Sequence, residues 1–289
     1  MEILMVINPV SGNQDKAFLV RKLRHFLEPK DTLELYKTNG QNDKEQIANL
    51  LQKNNFDRIL VAGGDGSIKM LAECLQNPET PATPIAILPA GSANGLASDL
   101  NLPQTPETFL KVALGNKTRT IDAININNEL GLHISDFGLN AELIKEFTNS
   151  SIRGKLGYAL NSIPTLIQNE GPYPFTIKTK EKKFTRQAIM IALANSKKFG
   201  TGAIVNPDGK IDDGIFELLI FKKLDVLEIL KTLNEEAEMS KDFVEIIPLK
   251  EVKISTPKPV SFQIDGEYCE DLTNVSAKIV PKILEVYVP

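Results

Sequence analysis

Asp65 stands inside Gly63-Gly64-Asp65-Gly66-Ser67, a loop entered by the apolar run Ile59-Leu60-Val61-Ala62 and left by a helical pattern. Glycines at Gly63, Gly64 and Gly66 let the backbone reach φ > 0 and let a ligand come close to the main chain. First-turn amides of the following helix point outward with the positive end of its dipole behind them, which suits a phosphate. A carboxylate in that turn repels phosphate unless a cation lies between them, so the residue types point to a metal-nucleotide site. The same residues also make a good tight turn, and the loop by itself does not separate the two readings. It is neither a Walker A loop, because no G-K-[ST] follows, nor a GxGxxG fingerprint.

Two further loops carry similar chemistry. Asn8-Pro9-Val10-Ser11-Gly12 follows the first apolar run, and Gly91, Ser92 and Asn94 lie in ILPAGSANGLASDL, residues 87–100. Each is also acceptable as a helix N-cap turn. Three such loops at neighbouring strand ends describe a site with many neutral donors and one acidic group, which fits a nucleoside triphosphate brought in with Mg²⁺. Farther along, Asp265-Gly266-Glu267 reads as a hairpin turn followed by an exposed glutamate. Lys210-Ile211-Asp212-Asp213-Gly214-Ile215 reads as a turn before an apolar strand. His25 sits on a basic helix face and His133 in a strand-like segment; neither is expected to act in chemistry.

The elements that must position these loops alternate in type over the first 120 or so residues. Strands are expected at 2–8, 32–38, 58–62 and 84–88, and helices at 14–27, 43–53, 92–99 and 106–114, the rhythm of a parallel α/β sheet. Asn8-Pro9, Thr38, Gly63–Ser67 and Pro89–Asn94 all fall at the carboxyl ends of those strands, where such sheets bind ligands. From about Ile121 short β-like segments take over, at 121–127, 130–136, 174–179, 184–194, 215–221, 250–256, 260–264, 275–280 and 283–288. Helices are expected at 139–147, 153–168 and 224–238, and hairpin turns at Asn127-Asn128, Lys182-Lys183 and Asp265-Gly266. This predicts two domains: an α/β domain over 1–121 and a mainly antiparallel β-rich domain over 122–289.

Composition fits an ordinary globular chain: 289 residues, 42% apolar, 24% charged. A net charge of −4 argues against nucleic acid as a partner. Two cysteines, Cys74 and Cys269, are too few for a disulfide framework or a zinc site and suit a reducing compartment. No signal peptide is apparent, and the uncharged stretch 80–98 is broken by Pro81, Pro84, Pro89, Gly91 and Gly95. The expected location is cytoplasmic, with peripheral contact at the inner membrane face. The basic run Lys178, Lys180, Lys182, Lys183 and Arg186 reads as a solvated hairpin or as a weak, salt-sensitive contact with anionic head groups. Helix 153–168 reads as core-facing or as part of a lipid entrance.

NPVSG, GGDGS and LPAGSANGLA, in this order and spacing, resemble the diacylglycerol kinase catalytic-domain family, which includes soluble bacterial lipid kinases and sphingosine kinases. ANSKKFGTGAIVNPDGKIDDGIFEL (194–218) and FQIDGEYCE (262–270) are similar to the family's later blocks, so the resemblance spans nearly the whole chain. It implies an NAD kinase-like and diacylglycerol kinase-like nucleotide-binding α/β domain, a β-rich lipid-substrate and metal-binding domain, and an active site in the cleft between them.

It also implies nucleotide contacts at Asn8, Pro9, Ser11, Gly12, Thr38, Gly63, Gly64, Asp65, Gly66, Ser67, Gly91, Ser92 and Asn94. Asp65 would act on the Mg²⁺-bound phosphates and Glu267 as general base. A structural Mg²⁺ would rest on Asp213 and the carbonyls of Lys210 and Ile215. Ser67 stands where relatives often have threonine. Gly95 replaces the aspartate of relatives with GTxND, which leaves acceptor preference open, and the GSxN form is closer to sphingosine kinases. The implied activity is ATP- and Mg²⁺-dependent phosphorylation of a lipid hydroxyl such as that of diacylglycerol or a sphingoid base, and a homodimer is the oligomer considered. An NAD kinase, or a nucleotide-binding regulator with little catalysis, are the alternatives.

Overall fold

A computed structural model describes residues 1–142, 144, 171–199, 203–225, 228, 231 and 239–289. The helix expected at 153–168, residues 143 and 145–147 of that expected at 139–147, and most of that expected at 224–238 lie outside these residues. The chain divides into two compact units, Met1–Ile121 with Lys282–Pro289, and Asp122–Pro281.

In the first unit, β1 (Glu2–Ile7), β2 (Thr32–Lys37), β3 (Arg58–Gly63) and β4 (Ile85–Pro89) form a parallel sheet in the order β2-β1-β3-β4. β1, β3 and β4 are buried almost throughout and read as continuous apolar runs, as strands covered on both faces do. Connecting helices are amphipathic. α1 (Lys16–Phe26) buries Leu19 and Leu23 and is N-capped by Asp15, which accepts the Phe18 amide at 3.1 Å. α2 (Asp43–Lys53) buries Ile47 and Leu51, and α3 (Asp65–Leu75) buries Ile68, Leu71 and Ala72. Short α4 (Gly95–Asp99) and α5 (Pro106–Ala113), which opens on proline, complete the set.

The sequence division leaves residues 282–289 with the second domain, whereas in the structure they belong to the first unit. Val286 lies parallel to Ile85 of β4, and the Val288 amide donates to the Lys117 carbonyl at 3.0 Å. Arg58 stacks its guanidinium 4.0 Å from the Tyr287 ring centroid and donates to the Ala113 carbonyl, tying the chain end to β3 and α5. Only the fold could reveal this return, because VYVP resembles any terminal strand.

The second unit is built from antiparallel pairings. β5 (Thr118–Ile126), which enters it from the first unit, pairs with β6 (Glu129–Gly131). β7 (Ile134–Gly138) lies between β10 (Met190–Ala194) and β13 (Glu251–Ile264). β10 continues to β11 (Phe216–Phe221) and β12 (Val244–Leu249). β13 also pairs with β8 (Tyr173–Lys178), which pairs with β9 (Lys183–Ala188), and with β14 (Glu267–Tyr287). Phe137, Phe175, Phe216 and Phe262 fill its core. The Phe137 ring is 5.3 Å from that of Phe175 and 5.8 Å, edge to face, from that of Phe262.

Several boundaries differ from the sequence reading. Segment 184–194 is two strands, β9 and β10, parted at Ile189. The hairpin expected at Lys182-Lys183 turns through 179–182, and Lys183 already pairs with Lys178. β12 was not anticipated, because Pro248 argues against a strand; it is tolerated since β11 is its ladder partner. Among the described residues, no helix is long and apolar enough to cross a membrane.

Candidate active site

β1 sends its crossover through α1 to β2 on one side, while β3 lies on its other side. The order therefore reverses between β1 and β3, and open α/β sheets bind ligands outside the strand ends at such a point. Asn8 and Gly63-Gly64 stand there. Proline and glycine end β1: the Asn8 side chain accepts the Val10 amide at 3.1 Å, turning the chain, and Gly12 takes φ +51°.

The loops after β1, β3 and β4 pack on one another through bare backbone. A Cβ at Gly12 would lie 2.6 Å from the Ala90 oxygen, and one at Gly91 would lie 2.5 Å from Gly64 Cα. At Gly63 it would meet the Ser67 hydroxyl at 2.3 Å. Ser11 Oγ donates to the Asn8 and Ala90 carbonyls at 3.0 and 3.1 Å, and Asn8 Nδ2 to Ser67 Oγ at 3.4 Å. Asn94, at φ +55°, closes its own loop: its Oδ1 accepts the Gly91 amide at 2.8 Å and its Nδ2 donates to the Gly91 carbonyl at 3.0 Å. Thr38, at the end of β2, donates its amide to the Ile7 carbonyl at 2.9 Å, and Ser92 is exposed. The sequence-derived residues of this unit are thus gathered around adjacent strand ends.

α3 begins at Gly64 without a side-chain cap, so its first amides keep their outward hydrogen-bonding capacity. Asp65, in the first turn of α3, instead caps α4: its carboxylate accepts the Gly95 amide at 2.9 Å and the Leu96 amide at 3.1 Å. The loop carboxylate therefore has a structural partner thirty residues away, which the turn sequence did not reveal.

Lys16 was also missed. Its Nζ donates to the Ser11 carbonyl and, at 3.2 Å, to the Ala90 carbonyl, and burial lowers its pKa. A lysine opening a helix runs against the helix dipole, and that was the available signal.

In the second unit, Asp265 (φ +51°) and Gly266 (φ +88°) form the anticipated two-residue turn between β13 and β14. The Asp265 carboxylate accepts the Leu132 and His133 amides at 2.7 and 2.9 Å. Gln263 Oε1 accepts the Gly266 amide at 2.6 Å, while its Nε2 donates to the buried Asp136 carboxylate. Glu267 follows this pinned turn and is exposed. Asp136 also takes a hydrogen bond from Asn140, its Oδ1 has no side-chain partner among the described residues, and burial pushes its pKa up to about 7. Neither Gln263 nor Asp136 was singled out from sequence, since neither belongs to a local motif.

The 210–215 turn is strapped by buried Asp122, whose carboxylate accepts the Gly214 amide at 2.7 Å and whose amide donates to the Ile211 carbonyl at 2.7 Å. Asp213 Oδ1 accepts the Ile215 amide at 3.3 Å. Burial, together with Asp213 and Asp208, raises the Glu217 pKa. No group of three or more His, Cys, Asp or Glu side chains gathers for a metal among the described residues. A cation at this turn would rest on Asp213 and main-chain carbonyls, hard oxygen donors of the kind Mg²⁺ accepts beside water.

The arrangement of phosphate-suited loops on a parallel sheet, followed by an antiparallel unit, is matched by known families. Residues 2–126 match the diacylglycerol kinase catalytic domain and residues 135–288 the YegS C-terminal NAD kinase beta sandwich-like domain. The chain belongs to the diacylglycerol kinase catalytic-domain family, in its form with the YegS-type C-terminal domain.

It is 28% identical over 253 residues to a Chromohalobacter salexigens protein named "Probable lipid kinase YegS-like", covering 86% of this chain and 81% of that one. It is 25% identical over 273 residues to the diacylglycerol kinase of Bacillus subtilis, covering 91% and 89%. A crystal structure of a diacylglycerol kinase from Bacillus anthracis superposes with a TM-score of 0.75 at 18% identity, over 100% of this chain and 97% of that one. That similarity speaks to the fold.

Proposed function

We propose that the protein is an ATP-dependent lipid kinase that transfers the γ-phosphoryl group to a lipid hydroxyl. The observation that carries this reading is the set of three glycine loops packed backbone to backbone at the β1/β3 reversal, with the uncapped α3 N-terminus among them. Loops this close-packed present main-chain donors with little cost of reordering, the form of preorganisation that phosphoryl transfer rewards. Asn8, Pro9, Ser11, Gly12, Thr38, Gly63–Ser67, Gly91, Ser92 and Asn94 are assigned to the nucleotide. Lys16 supplies positive charge beside the first loop, and Asp65 holds the α4 loop in register with α3.

Magnesium, when bound with the nucleotide, neutralises charge on the phosphates, and Asp65 is the carboxylate these loops offer it. The acceptor oxygen forms a bond to the γ-phosphorus as the bond to the bridging oxygen breaks, ADP leaves, and the hydroxyl proton passes to Glu267. That glutamate suits the task because it is exposed on a turn held by Asp265 and Gln263.

The test is transfer from labelled ATP into a total lipid extract, with the product identified by mass. A phosphorylated lipid is expected. NADP as the main product with NAD present would make the protein an NAD kinase, and ATP binding without any product would make it a regulator. Glu267→Gln should keep ATP affinity and lose about 10²–10⁴-fold in turnover; unchanged turnover removes the base assignment.

A further inference from the structure

The basic run of the β8–β9 hairpin is divided by the fold. Arg186 pairs with Glu245 through Nε at 2.9 Å and lies 4.7 Å from the Phe184 ring centroid, and the Lys182 ammonium lies 4.9 Å from the same ring. Lys178 and Lys183 instead stand directly opposite each other, and Lys253 of β13 stands directly opposite Lys178. Three exposed lysines thus form one row across three adjacent strands. Like charges directly opposite each other destabilise a sheet. None of the three makes an ion pair among the described residues, and Glu251, two positions before Lys253 on β13, stands opposite a fourth lysine, Lys278.

Beside the lysine row runs a row of neutral hydrogen-bonding side chains, Thr176, Ser255 and Asn274, in register with one another. The two rows line a groove of about 270 Å³ on the outward face of the second unit. Ile177, Ile254 and Val275 alternate with them and face the core.

We propose that this groove docks the protein on an anionic bilayer, taking the phosphates of neighbouring phospholipid head groups along Lys183, Lys178 and Lys253. With strands about 4.8 Å apart, the row spans roughly 10 Å, which suits an array of phosphates better than one free ion. The positive row stands on a chain whose net charge is −4, so attraction to an anionic surface is local to this face. The inference goes beyond the catalytic reading and stands without it, since it names a surface and not the phosphoryl acceptor.

Co-sedimentation of the full chain with phosphatidylcholine vesicles, with and without phosphatidylglycerol, tests it. Binding is expected only with the anionic lipid, and should weaken with rising salt as exposed charges are screened. Each lysine near an anionic surface contributes about five-fold, so K178A/K183A/K253A should bind on the order of a hundred-fold more weakly. The corresponding triple arginine variant should bind like wild type, and the single Lys178→Glu change should already lower binding. The alanine variant should melt no lower than wild type, because opposed charges are removed. Wild-type binding by the alanine variant overturns the proposal. So does absence of vesicle binding by the wild type, whether or not glycerol phosphate or single-stranded RNA binds to it.

Discussion

Asp136 should make the stability of the protein depend on pH in a way that one substitution removes. Its carboxyl is fully buried, and desolvation raises its pKa from 3.8 to about 7 against the opposing hydrogen bonds of Asn140 and Gln263. Between those two values the unfolded chain has lost the proton and the folded chain keeps it, so stability falls as pH rises. The slope is about 1.4 kcal/mol per pH unit, which amounts to roughly 4 kcal/mol over the whole window. That contribution is fully present below pH 3.8 and gone above about pH 7.

Asp136→Asn keeps the size of the group and an oxygen for Asn140 and Gln263, but does not titrate. Urea unfolding followed by circular dichroism at pH 5, 6, 7 and 8 gives the comparison; the chain has no tryptophan to report by fluorescence. Stability of the wild type relative to the variant should drop by about 3 kcal/mol from pH 5 to 8, with most of the change below 7. Parallel pH profiles for the two proteins would refute the reasoning, as would a carbon-13 carboxyl titration of Asp136 with an ordinary midpoint.

Four shorter expectations follow from the same contacts. Gly91→Ala forces a Cβ to within 2.5 Å of Gly64 Cα and should lower ATP affinity at least about tenfold, read by calorimetry; unchanged affinity would separate the loop packing from nucleotide binding. Asp65→Ala removes the cap of α4 and should cost about 0.5–2 kcal/mol in thermal unfolding, with Asp65→Asn retaining part of it. Gln263→Ala frees the Gly266 amide and should lower kcat with the KM for ATP unchanged; a fall in rate that disappears once activity is scaled to the folded fraction, read by circular dichroism, would make it a general folding defect. Arg186→Ala should cost at most about 1 kcal/mol, because the pair with Glu245 is partly exposed. Arg186 lowers the Glu245 pKa, so that difference should fade as acid protonates Glu245 in the wild type, measured by melts between pH 7 and 3.

Sequence alone determined what depends on neighbours along the chain. Apolar periodicity placed β1–β4 and the helices between them, because burial of one stripe or of a whole strand is written in consecutive side chains. Asn127-Asn128 and Asp265-Gly266 were readable as turns, since φ > 0 at successive residues is a local demand that few residue types meet. The phosphate-suited loops could be recognised for the same reason.

Tertiary structure alone decided which distant groups share a contact. Asp65 reaches the amides of Gly95 and Leu96, Asp265 those of Leu132 and His133, and Lys178 lies opposite Lys253. Residues 282–289 return to the first unit. A carboxylate accepts any amide and a lysine pairs in any register, so residue type does not name a partner tens of positions away. The sheet pairings and the crossovers between strands supply that address, and with it the difference between a glycine-rich turn and a candidate active site.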